Sequence, residues 1–144
     1  MTIRNALSTD AKAIKILLEQ LGYPDLTEGD VLNNIQSHSG EGYRLLVAEE
    51  GKTVIGFIAL HWFDLVHWKE KLGRISSFCV NEAARSKGVG KNLLEAAEDL
   101  FASQGCAKIE VTSNARRTRA HQFYLNLGYV EDSRRFVKYL KQGH

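Results

Sequence analysis

The stretch Arg85-Ser86-Lys87-Gly88-Val89-Gly90 has the chemistry of an anion cradle. Its glycines lack a Cβ, so a phosphate can come close to the main chain. Arg85 and Lys87 add full positive charge. An apolar run from Ile75 to Val80 comes before it and reads as a strand. From about Gly88 to Ser103, Val89, Leu93, Leu94, Ala97, Leu100 and Phe101 recur on one stripe, which predicts an amphipathic helix. The first turn of a helix has N–H groups without intrahelical acceptors, and its dipole adds partial positive charge. A strand, a glycine turn and a helix start in that order predict a diphosphate site.

Two familiar phosphate loops do not fit. A Walker A loop needs Gly five positions before its Gly-Lys pair, and then Ser or Thr. Here Arg85 stands at that distance from Gly90-Lys91, and Asn92 follows. A dinucleotide fingerprint needs a third Gly where this chain has Leu93. Taken alone, R-x-x-G-x-G also describes an ordinary tight turn into a helix.

A second segment narrows the reading. Ile109 to Thr112 reads as a buried strand. Ala120, Phe123, Tyr124 and Leu127 follow at helical spacing, with Gly128 placed to cap the helix. Together these motifs resemble those of the GNAT superfamily of acyl-CoA-dependent N-acetyltransferases. That family's R/Q-x-x-G-x-G/A loop matches Arg85 to Gly90. Its A-x-x-x-Y-x-x-x-G-F/Y helix matches Ala120, Tyr124, Gly128 and Tyr129. The order and separation of the motifs also fit, and the resemblance spans nearly the whole chain.

The coarse element order is β-α-α-β-β-β-α-β-α-β. Thr2 to Ala6 is a short strand, and Ser8 and Asp10 can cap a helix from Ala11 to about Leu21. A second helix spans about Thr27 to Ser37. Tyr43–Glu49 and Thr53–Trp62 form a hairpin around Glu50-Gly51-Lys52. Asp64 to Lys71 is a loop or short helix. A strand from Ala107 to Thr112, the Ala120 helix and a last strand from Val130 to Leu140 complete the chain. The resemblance implies an α/β (α+β) fold in one domain, residues 1–144: a mixed sheet splayed in the middle, flanked by about four helices, with acetyl-CoA in the splay.

The resemblance also assigns roles. Backbone groups at Phe78, Cys79 and Val80 would face the acetyl carbonyl and pantetheine. Arg85, Ser86, Lys87, Gly88, Val89, Gly90 and Lys91 would hold the diphosphate. Relatives contact the cofactor through an Asn at the position of Arg117, a contact for which Asn114 at the strand end can substitute. Tyr124 matches the family tyrosine that lies near the thioester and can protonate the leaving sulfur; without the motif it reads as a core aromatic. The chain departs from the family pattern at three places. The strand before the loop has no carboxylate to serve as general base. Arg117 stands where relatives have Asn, and Glu82 where they have Pro. Ser76 or Ser77 could hold a relaying water, and His61, Asp64 and His67 are other candidate bases.

Composition agrees with an ordinary globular domain. The chain has 144 residues, 44% of them hydrophobic, and a formal net charge of +2. So small a charge gives no support to nucleic-acid binding. Arg116, Arg117 and Arg119 form the densest basic cluster. Cys79 and Cys106 read as free thiols suited to a reducing cytoplasm. No transmembrane stretch is present, and the histidines and cysteines have no metal-ligand spacing, so no metal is expected.

The string Thr112 to Arg117, followed by Ala120 to Leu125, with Phe136 and Lys138 further on, resembles the subgroup that contains aminoalkylphosphonate and aminoglycoside N-acetyltransferases, and His67-Trp68 resembles the former. The resemblance implies a small-molecule amine as acceptor and allows a homodimer. Arg74, Arg117, Arg134 or Arg135 could face an acceptor's anion, whereas a polycation would need Asp25, Glu28, Asp30 or Asp64. Two functions stay open at this level. One is an acetyl-CoA-dependent N-acetyltransferase; the other is a noncatalytic acyl-CoA-binding sensor or interaction module.

Overall fold

The computed structural model describes residues 1–85, 87–111, 118–132 and 135–141, with backbone only at 118 and 119. They group into two compact units, Met1–Thr112 and Ser113–His144.

The first unit is a five-stranded sheet in the order β1-β2-β3-β4-β5. The strands are β1 (Thr2–Asn5), β2 (Tyr43–Glu50), β3 (Thr53–Asp64), β4 (Lys71–Val80) and β5 (Cys106–Val111). Neighbours are antiparallel except β4 and β5, which run parallel. A parallel pair needs a crossover, and the helix α3 (Val89–Ser103) supplies it.

Helices α1 (Ala11–Leu21) and α2 (Glu28–Ser37) bury Ile14, Leu17, Val31 and Ile35 in one core with Leu45, Val47, Phe57, Ala59 and Cys79 of the sheet. Those sheet residues share a face because strand side chains alternate. On the other face α3 buries Val89, Leu93, Leu94, Ala97 and Phe101. Phe101 meets Trp62 edge-on at 6.4 Å. A Cβ at Gly73 would lie 2.6 Å from the Phe101 ring, so glycine is what lets α3 settle onto β4.

The predicted strands and helices of this unit form, with shifts at their ends. The hairpin of β3 and β4 runs further than expected. Asp64 and Lys71, read as loop, are ladder partners joined by an ion pair at 2.7 Å. Asp10 does not cap α1 with its side chain. It turns back to accept the Leu7 N–H at 2.7 Å and two bonds from Arg4. Thr27 does cap α2: its hydroxyl accepts the Asp30 N–H at 3.0 Å, and Asp30 returns a carboxylate to the Thr27 N–H at 2.9 Å.

The second unit contains α4 (Thr118–Asn126). Gly128, at φ +90°, closes it as predicted, with the Tyr129 N–H donating to the Tyr124 carbonyl at 3.0 Å. From Val130 to Leu140 the described residues form no strand; Ser133 and Arg134 lie outside them.

Candidate active site

From Lys71 to Ile75 strand β4 pairs with β3 on one side and β5 on the other; the described part of the parallel ladder runs to Ile75–Val111. On the β3 side the pairing continues through Ser77–Ala59, Phe78–Ile58, Cys79–Phe57 and Val80–Gly56. The register shifts between Ala59 and Leu60, where Ser76 is the extra residue of a bulge in β4. Residues 112–117, which follow β5 where the sheet is expected to splay, lie outside the described residues.

After Val80 the chain makes a tied turn. The Asn81 N–H donates to the Ile55 carbonyl at 2.8 Å, and the Asn81 side chain accepts the Ala83 N–H at 3.0 Å. Arg85 Nε donates to the Val80 carbonyl at 3.3 Å. Gly88 then takes a left-handed conformation, φ +80° and ψ 6°, immediately before α3. The Asn92 N–H finds the Gly88 carbonyl at 3.0 Å, which opens the helical ladder. A Cβ at Gly88 would have no heavy atom of the protein within 4 Å. The space over the glycine is therefore open, and the positive φ is what selects this residue. Val89 anchors the helix start in the core, while Arg85, Lys87 and Lys91 are exposed. The first-turn N–H groups of α3 have no intrahelical acceptors and carry the positive end of the dipole. An open left-handed glycine at a helix start with cations beside it fits a diphosphate.

Of the residues expected at the cofactor, Phe78, Cys79, Val80, Arg85, Lys87, Gly88, Val89, Gly90 and Lys91 all lie on this strand, turn and helix start. Ser86, Asn114 and Arg117 lie outside the described residues. Cys79 is a buried free thiol whose Sγ is 3.3 Å from the Leu17 carbonyl, a core role. Cys106 is also free, and burial pushes its thiol pKa up, away from the reactive thiolate. Tyr124 on α4 packs with Phe123 and Tyr129, ring centroids 5.5 and 5.6 Å away.

A second cluster lies on the sheet face shared with α1 and α2. Tyr43, His61, Arg74 and Glu110 are successive register partners across β2, β3, β4 and β5. Tyr43 stacks on His61 at 4.1 Å, and His61 on Phe63 at 4.8 Å. Arg74 lies over the Phe63 ring at 5.2 Å, with its Nε 2.6 Å from a Glu110 oxygen. His38, at the end of α2, meets Tyr43 edge-on. Tyr43 and Glu110 were missed by the sequence reading, because only the strand register sets them beside His61 and Arg74. Among the described residues no group of three His, Cys, Asp or Glu side chains could hold a metal. Nor is any described helix long and apolar enough to cross a membrane.

The profile of the acetyltransferase (GNAT) family matches residues 11–129. The chain belongs to that family. It is similar to the aminoalkylphosphonate N-acetyltransferase of Salmonella typhimurium, 29% identical over 143 residues that cover 96% of this chain and 90% of that one. An uncharacterized N-acetyltransferase of Bacillus subtilis, YhfO, is 31% identical over 96% of this chain and 95% of its own length. The fold matches that of the aminoglycoside N-acetyltransferase AAC(6')-Iy, solved in complex with CoA. The TM-score is 0.82 at 20% identity, covering 99% of this chain and 95% of that one. This GNAT protein is thus an acyltransferase that draws on an acyl-CoA, and its Gly88 turn has the features to hold one.

Proposed function

We propose that the protein moves an acetyl group from acetyl-CoA to the primary amine of a small molecule by direct transfer, within one domain of residues 1–144. The observation that carries this reading is the Gly88 turn, an open left-handed glycine at the start of α3, reached directly from the end of β4. The first-turn N–H groups, with Arg85, Lys87 and Lys91, would hold the diphosphate. Phe78 to Val80 would take the pantetheine and acetyl carbonyl. Ser86 joins the same set by its motif position, Arg117 as the residue at the family's Asn position, and Asn114 as the substitute for that Asn. Bound acetyl-CoA supplies an activated acyl carbon. The chain's own groups must then orient the amine, take its proton and return one to the leaving sulfur. Tyr124, a phenolic donor, is proposed for that last role.

The acceptor we favour also carries an anion, as aminoalkylphosphonates do. Likeness to the Salmonella enzyme supports this. A polycationic acceptor is less well served. Asp30 is tied to the Thr27 N–H at 2.9 Å and Asp64 to Lys71 at 2.7 Å, so two of its four candidate acids are already engaged. The free thiols Cys79 and Cys106 support a cytoplasmic setting.

Thiol release from acetyl-CoA against aminoalkylphosphonates, aminoglycosides, polyamines and amino acids tests the reading. Turnover is expected, highest with the phosphonates. Tyr124→Phe should lower kcat about 100-fold and leave acetyl-CoA binding intact. Binding without turnover of any amine would favour the sensor function instead.

A further inference from the structure

We infer that His61 is the general base that prepares the acceptor amine, held in one tautomer by the carbonyl of Gly42; the inference rests on the acetyl-transfer reading above. His61 Nδ1 lies 2.8 Å from the Gly42 oxygen. A carbonyl oxygen can only accept, so Nδ1 carries the proton. In the neutral ring Nε2 is then the nitrogen with the lone pair, the one able to take a proton.

The surroundings keep that arrangement fixed. The Gly42 oxygen also accepts the Trp62 N–H at 2.9 Å, which ties the turn before β2 to β3. Gly42 sits at φ +81°, and a Cβ there would come within 3.0 Å of the Trp62 oxygen. Stacking between Tyr43 and Phe63 fixes the plane of the imidazole. The titratable and charged groups around it are Tyr43 on β2, Arg74 on β4, Glu110 bound to Arg74 from β5, and His38 beyond Tyr43.

Position favours His61, and the carboxylates near it are engaged. Its register partner is Arg74 on β4, the strand that leads to Phe78, Cys79 and Val80. Trp62 faces α3, so its neighbour His61 stands on the opposite face of the sheet. Strand β4 has no carboxylate of its own, Glu110 is engaged by Arg74, and Asp64 by Lys71. His38 has a similar tautomer, with Nδ1 2.8 Å from the Asn34 carbonyl, but lies one ring further from β4, beyond Tyr43.

In the proposed step His61 Nε2 takes one proton from the acceptor ammonium and leaves a neutral amine. The amine nitrogen bonds to the acetyl carbon of acetyl-CoA. The carbon–sulfur bond breaks, its electron pair stays on sulfur, and a second proton from nitrogen ends there. The imidazolium returns its proton to water.

His61→Asn separates the two duties of the ring: its amide N–H can still donate to Gly42, but nothing replaces Nε2. With aminomethylphosphonate as acceptor, kcat should fall about 100-fold and the acidic limb of its pH profile should vanish. Calorimetric affinity for acetyl-CoA should be unchanged, and His38→Asn should behave as wild type. Should His61→Asn not fold, His61→Phe keeps the stack and takes its place. A nitrogen-15 NMR spectrum of the wild-type protein, which needs no substrate, should show the Nδ1–H tautomer of His61. An Nε2–H tautomer, or wild-type kcat with its acidic limb intact in the variant, overturns the inference alone. A wild-type chain that acetylates no amine overturns the acetyl-transfer reading, and the base role with it.

Discussion

Arg4 and the Arg85–Lys87 turn are both cationic, yet they are built in opposite ways. Arg4 is closed in by acids. Its guanidinium donates to both oxygens of Asp10, at 2.8 and 3.0 Å, and to Glu49 at 3.0 Å. Asp10 is only 6% exposed. The cluster joins β1, the turn into α1 and β2, so its charge is spent on the fold. At the glycine turn Arg85 and Lys87 are exposed, and among the described residues no carboxylate pairs with either. Charge left unmatched beside an open helix start is available to a ligand. The contrast separates stability from binding, and each region can be broken without the other.

The largest effect is expected at the closed cluster. Asp10→Ala leaves Arg4 partly buried with one acid fewer and should cost about 3 kcal/mol in urea unfolding, with acetyl-CoA affinity unchanged. The same pair sets an acid response. Arg4 first, and the Leu7 N–H as well, hold the Asp10 carboxyl below the usual carboxylate range. A depressed folded pKa gives stability that is fully present above the unfolded value, about 3.9. That stability is lost as pH falls through the folded value. Wild-type stability should therefore decline below about pH 4 more steeply than that of Asp10→Asn, as urea midpoints across that range would show. Equal slopes would mean that the pair adds nothing to folding.

Next comes Gly88→Val at the open turn. A β-branched residue resists φ +80°, and its side chain would occupy the space left for the ligand. Acetyl-CoA affinity should drop at least about tenfold, or about 1.4 kcal/mol. Unfolding should change by no more than the strain of one left-handed residue, about 1–2 kcal/mol. The smallest effect is expected for Lys87→Ala. Losing one exposed cation should cost about 1 kcal/mol of acetyl-CoA binding or less, and salt should erase the difference. A loss that persists in high salt would point to a buried contact instead.

What could be read from the sequence follows the range of the forces involved. The Ile75–Val80 strand, the Gly88 turn and α3 are local: apolar period, glycine position and charge all lie within one segment. Gly128 was legible for the same reason. The row of Tyr43, His61, Arg74 and Glu110 was not, because it is set by pairing across four strands and by a bulge at Ala59–Leu60. Asp64 and Lys71 looked like loop by polarity, yet their opposite charges suit them as cross-strand partners. Val130 to Leu140 has the composition of a strand, but its described residues form none, because composition alone does not decide whether a ladder forms.

The central claim is that the Gly88 turn is an acyl-CoA site, and calorimetric titration of acetyl-CoA into the wild-type protein at low and raised salt tests it most directly. The account predicts saturable binding of one acetyl-CoA per chain, weakened by salt because exposed cations face the diphosphate. No binding at either salt concentration would contradict it.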